Sequence, residues 1–166
     1  IHSIKTLKFA QNIQREDIKS IFAELSNEQK IIVRLAAFLH DIGKGRAEDH
    51  HIVGEKLFKS MLKSFYFDDE IIKIGARLVR YHNMMSYMAT HEDIYSEKTI
   101  LNFTGLLKTK ETLKMLYVIT YCDISAVGEN IFNSSIASLL KQLYIQSLPA
   151  FENEDLLNES KRRIAK

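Results

Sequence analysis

Residues 110–128 read KETLKMLYVITYCDISAVG. Wound into a helix, this stretch is apolar on nearly every side, so it belongs at the centre of a fold and not on its surface. Thr109 stands where a cap would start it. The stretches around it read as helix too. Ile4, Leu7 and Ile13 suggest a helix over about residues 2–14. Ser26 followed by Gln29 is a capping-box pattern, and IIVRLAAFLH then runs apolar to Gly43 and Gly45, which end the helix. Asp49 can cap a helix with a Val53, Leu57 and Met61 stripe, and Asp68 one carrying Ile71, Ile74, Leu78 and Val79. The segment MMSYMATHEDIYS reads as loop, Ser96 caps a further helix, and a helix over about 131–147 stops at Pro149. The polar tail from Phe151 reads as a last surface helix. The expectation is an all-α fold.

With 166 residues the chain suits one domain with a real core. Apolar residues make up 46%, which excludes a disordered chain, and one proline with six glycines leaves little punctuation for many short strands. A net charge of +2 supplies no basic stripe, so no nucleic-acid partner is expected. No apolar run approaches the roughly 20 residues of a membrane span. Cys122 is the single cysteine, so an internal disulfide is excluded and a cytoplasmic location is expected. The chain begins at Ile1 without Met, which suggests a piece of something longer.

Three features carry chemistry. His40 and Asp41 adjoin at the end of an apolar helix, where a glycine loop begins. Neighbours on a helix point about 100° apart, so both can reach one ion only near a terminus or with the ion between them. Read alone, the pair also fits a helix end capped in solvent. Asp123 is flanked on its helix by Ile119, Thr120, Ala126 and Val127. A carboxylate in such a place needs a metal, a salt bridge or hydrogen bonds. Finally, all six histidines lie in the first 91 residues. His50 shares a stripe with Val53 and Leu57, and His82 one with Gly75 and Leu78. Each alone fits a satisfied core histidine; together with a buried Asp they point to a metal centre.

The order of HSIKTL from His2, LHDIGKGRAEDHHIVGE from Leu39, LVRYHNMMS from Leu78 and YCDISAVGENIFNSS from Tyr121 resembles the HD phosphohydrolase superfamily. Within it, the blocks are similar to the uridylyl-removing domain of bacterial bifunctional PII uridylyltransferases, over about residues 1–145. The resemblance implies an HD-domain helical bundle around a divalent cation held by His2, His40, Asp41 and Asp123. Mn²⁺ or Mg²⁺ is the expected activator, with Fe²⁺, Zn²⁺, Ni²⁺ or Co²⁺ also fitting a mixed N/O set. Asp41 would also orient the attacking water or take its proton, and Lys44, Arg46 and Arg80 would neutralise phosphate charge. The bland reading of those three cations is a solvated surface. Two-metal members of the superfamily imply that His50 and His82 face either the substrate or a weaker second ion.

The implied reaction is hydrolysis of the phosphodiester joining UMP to a tyrosine of a PII signal protein, with nucleotidyltransferase and ACT domains flanking the chain. On this reading residues 1–148 form the HD domain and 149–166 a helical extension. Rival readings are an HD nucleotidase or phosphodiesterase acting on a small nucleotide, and a non-catalytic HD binding module. The chain departs from the family pattern at Phe132, where Trp is usual, at His51, where Ser is usual, and at Thr90, His91 and Glu92, which replace a Gln-Arg-Arg run.

Overall fold

A computed structural model describes residues 1–165. Among them every regular element is a helix: α1 His2–Gln11, α2 Glu16–Ala23, α3 Asn27–Leu39, α4 His50–Lys63, α5 Asp69–Arg80, α6 Met84–His91, α7 Glu97–Leu107, α8 Lys110–Val127, α9 Ser134–Glu152 and α10 Glu154–Ala165. None is long and apolar enough to cross a membrane.

Helix α8 is the axis of the bundle. Thr109 accepts from the Thr112 amide at its start, and every residue from Met115 to Cys122 is buried. Helices α1, α2, α3, α5, α6, α7 and α9 all pack on it. The Ser26–Gln29 capping box forms in full and starts α3. Two orphan amides are satisfied there at once, so α3 has a fixed beginning and delivers His40 at a fixed end. Helices α4 and α5 pair closely because Gly75 lets α5 settle on Phe58: a Cβ at that position would meet the Phe58 ring at 2.5 Å.

Four sequence expectations need correction. The segment from Met84 is a helix and not a loop, because Met85 and Ala89, one turn apart, are buried where α6 lies on α9. Helix α1 stops at Gln11, and a separate α2 follows, anchored by the fully buried Ile18. Helix α9 starts at Ser134, where Asn133 accepts from the Ile136 amide, and it runs through Pro149 to Glu152. The proline removes the amide that would bond the Ile145 carbonyl, and both residues lie on the exposed side of the helix, where the freed carbonyl is not buried. Lastly, the buried stripe of α4 is Gly54, Phe58 and Leu62. That stripe carries His51 one turn before Gly54, while Met61 of the expected stripe is 37% exposed.

Candidate metal centre

His40 caps α3, and its Nδ1–H donates to the Ala37 carbonyl at 2.8 Å. A carbonyl only accepts, so Nδ1 carries the proton and Nε2 is the face offered to the neighbours. That nitrogen approaches Asp41 Oδ2 at 3.3 Å and Asp123 Oδ1 at 3.4 Å. His82, in the turn after α5, repeats the device: Nδ1–H donates to the Val79 carbonyl at 2.7 Å, and Nε2 lies 3.6 Å from Asp41 Oδ1. His2, in the first turn of α1, sets Nε2 2.7 Å from Asp123 Oδ1. Backbone carbonyls thus fix both inner rings, as a hydrogen bond at the far ring nitrogen fixes a metal-binding imidazole.

The donor atoms form two groups that share His40. Those of His2, His40 and Asp123 lie within 4.8 Å of one another, and so do those of His40, Asp41 and His82. His40 Nε2 and Asp41 Oδ1 are buried and have no hydrogen-bond partner, so their approaches are ion-pair contacts only. Buried polar atoms without partners are rare. In each group, imidazole nitrogens and carboxylate oxygens gathered this closely fit a divalent cation, and the N/O set does not choose its identity.

The charges agree. Burial works against a charged His40, yet the Asp123 and Asp41 carboxylates outweigh it and raise its pKa to about 10. Burial pushes His82 down to about 4, with the charge of His40 adding to it. Burial opposes the ionised form of Asp41, but His40 and Lys44 hold it well below the usual carboxylate range. The metal-free protein therefore holds a proton on His40 where a cation would bind.

This gives a stability profile. His40, with its folded pKa raised above the ordinary 6.5, contributes stability that is complete below pH 6.5 and lost as pH rises through about 10. His82, lowered from the same 6.5, contributes the opposite slope: its stability is complete above pH 6.5 and lost as pH falls towards about 4. The thermal midpoint of the EDTA-treated protein should peak near pH 6.5. Mn²⁺ should remove the alkaline fall, because the bound state needs neutral His40. A flat midpoint from pH 6.5 to 10 without metal would contradict these assignments.

The remaining sequence candidates lie around this centre. Lys44 Nζ sits on Asp41 Oδ2 at 2.7 Å while the rest of its side chain is exposed. Arg46 is exposed in the loop and makes no ion pair among the described residues. Arg80 donates to Glu55 Oε2 at 2.9 Å, and Lys59 holds the other oxygen of the same carboxylate at 2.8 Å. His50 is not brought to the His40 cluster; its ring lies 3.9 Å from that of His51, and it groups with Asp49 and His51 at the start of α4. The ring that reaches His82, at 5.1 Å, is His51. Its spacing of three, seven and eleven residues before Gly54, Phe58 and Leu62 was the available signal. Glu55 had none, since its partner Arg80 is 25 residues away.

The HD domain pattern matches residues 1–124 of the chain. The chain belongs to the HD domain family. HD domains are typically metal-dependent phosphohydrolases. This HD domain is homologous to the HD region of bifunctional uridylyltransferase/uridylyl-removing enzymes. It is 32% identical over 154 residues to the enzyme of that name from Bradyrhizobium diazoefficiens, covering 89% of this chain and 17% of the relative. It is 32% identical over 178 residues to the one from Cereibacter sphaeroides, covering 98% and 19%. The Ruegeria pomeroyi enzyme is 33% identical over 156 residues, covering 91% and 17%. The HD domain described here thus spans less than a fifth of the length of these relatives.

Proposed function

We propose that this HD domain removes UMP from a uridylylated tyrosine of a PII nitrogen-signalling protein by metal-dependent phosphodiester hydrolysis. One observation carries the reading: the donor groups His2–His40–Asp123 and His40–Asp41–His82 share His40, and His40 Nε2 and Asp41 Oδ1 are buried there without hydrogen-bond partners, in a chain whose relatives are named uridylyl-removing. On this reading those four residues hold the cation. A bound divalent ion lowers the pKa of its water and polarises the P–O bond. Asp41, ionised and lying between His40 and His82, orients the attacking water and takes its proton. Lys44 and Arg46 neutralise the non-bridging phosphate oxygens from the loop, and Arg80 does so from a position fixed by Glu55. His82 is neutral, with a lone pair on Nε2, and serves the phosphate or a weaker second ion through Asp41. Water adds to phosphorus, the bond to the tyrosine oxygen breaks, and UMP and a tyrosine hydroxyl leave.

In this reading residues 1–148 are the catalytic unit and 149–166 an extension towards flanking nucleotidyltransferase and ACT domains, in a cytoplasmic protein. The test is incubation of the protein with uridylylated PII and Mn²⁺, followed by intact-mass measurement. Loss of one UMP per modified tyrosine is expected, and EDTA should stop it. Unchanged PII mass, with the protein shown to carry metal, overturns the reading.

A further inference from the structure

Beside the His40–Asp41–His82 group lies a cavity of about 370 Å³, between the start of α4 and the turn that joins α5 to α6. His51 is the shared wall. One side of its ring faces His82 at 5.1 Å, and the residue lines the cavity. Ile52, Met84 and Tyr87 supply apolar surface, and Asn83 and Asp49 supply polar edges. The polar atoms here are under-used. The Asn83 amide makes one long contact, Nδ2 to His51 Nε2 at 3.4 Å. His51 Nδ1 is buried and has no hydrogen-bond partner.

Building on the phosphodiesterase reading, we propose that this cavity receives the nucleoside half of the diester, with Asn83 reading the edge of the base and the His51 ring as the wall towards the metal centre. An apolar slot with a few polar groups at its rim is the usual make-up of a small-ligand site. A base needs a flat apolar surface for its ring and hydrogen bonds for its edge. Tyr87 and Met84 offer the first, and Asn83 offers a donor and an acceptor side by side, the complement of a pyrimidine edge. An aliphatic occupant would leave the Asn83 amide unsatisfied. The cavity adjoins the metal centre, so a phosphate held there would place its attached sugar and base towards His51.

The experiment is calorimetric titration of the Mn²⁺-loaded protein with UMP, ribose 5-phosphate and inorganic phosphate. UMP should bind about tenfold or more tighter than ribose 5-phosphate, as expected for one or two well-placed hydrogen bonds and a stacked ring. Asn83→Leu should bring UMP close to ribose 5-phosphate. Asn83 precedes α6 without a side-chain cap bond and is exposed, so this change threatens the fold little. His51→Ala is the second variant and should narrow the same ratio. Equal binding of UMP and ribose 5-phosphate by the parent protein, detectable or not, overturns the proposal, as does an undiminished UMP advantage in both variants. These ratios are read without turnover. Deuridylylation with a flat ratio removes the base subsite alone; a strong UMP preference without hydrolysis removes the catalytic reading alone.

Discussion

If the proposed reading holds, replacing Asp123 with alanine is expected to strip the protein of stoichiometric metal and to lower the proposed phosphodiester hydrolysis by about a thousandfold or more, on the order of 4 kcal/mol of transition-state stabilisation. Asp123 Oδ1 is the atom that both His2 and His40 approach, at 2.7 and 3.4 Å. Without it the His2–His40–Asp123 group no longer exists. The loss has a second signature. Asp123 is the leading carboxylate that keeps the proton on His40, so the alkaline fall in metal-free stability should shrink in the variant. Asp123→Asn, which keeps the shape and removes the charge, should behave alike. Metal content and turnover close to those of the parent would eliminate Asp123 as a ligand.

The second large effect is expected at Gly43. A Cβ there would point into the His50 carbonyl and lie 2.7 Å from the Gly54 amide nitrogen, and backbone atoms cannot give way as a flexible side chain can. Gly43→Ala should therefore cost about 3 kcal/mol, the upper range for overpacking, and lower the thermal midpoint by roughly 10 °C. Metal affinity should fall with it, because the clash pushes apart the loop that carries Asp41 and the start of α4. Gly45 is the comparator. It sits at φ +83° with nothing within 4 Å of a built Cβ, so Gly45→Ala meets only the left-handed backbone penalty of about 1–2 kcal/mol. A Gly43→Ala midpoint no lower than that of Gly45→Ala would mean that the close approach of the loop to α4 does not exist.

What the sequence disclosed depended on local contrast. Asp123 was legible because it is a lone acid on an apolar helix, and His40–Asp41 because it ends such a helix at a glycine loop. The capping box at Ser26 was legible because its two partners are three residues apart. Helix α6 was not, since its methionines and polar residues look the same in a loop; only packing on α9 makes Met85 and Ala89 a buried face. Helix α7 ends on Lys108 at φ 68°, a left-handed position that glycine would have announced. On α4 the two adjacent histidines hid the register, because a shift of one residue exchanges His50 for His51. The burial of Gly54 decides it, and a glycine carries no hydrophobic signal.

The His2–Asp123 contact joins residues 121 positions apart. Helix α1 starts without a side-chain cap and with no acid in its first turn. Its beginning is therefore fastened by a tie to α8, far along the chain, and not by its own sequence. The adjacent pair His40 and Asp41 can come together early, but both donor groups exist only after the chain from His2 to Asp123 has closed on itself. On the proposed reading, hydrolytic competence is then all-or-none: a chain that has built its middle helices but not docked α1 holds half a cage. A nascent or partly unfolded copy would be silent towards its substrate, and competence would arrive together with the last long-range docking step.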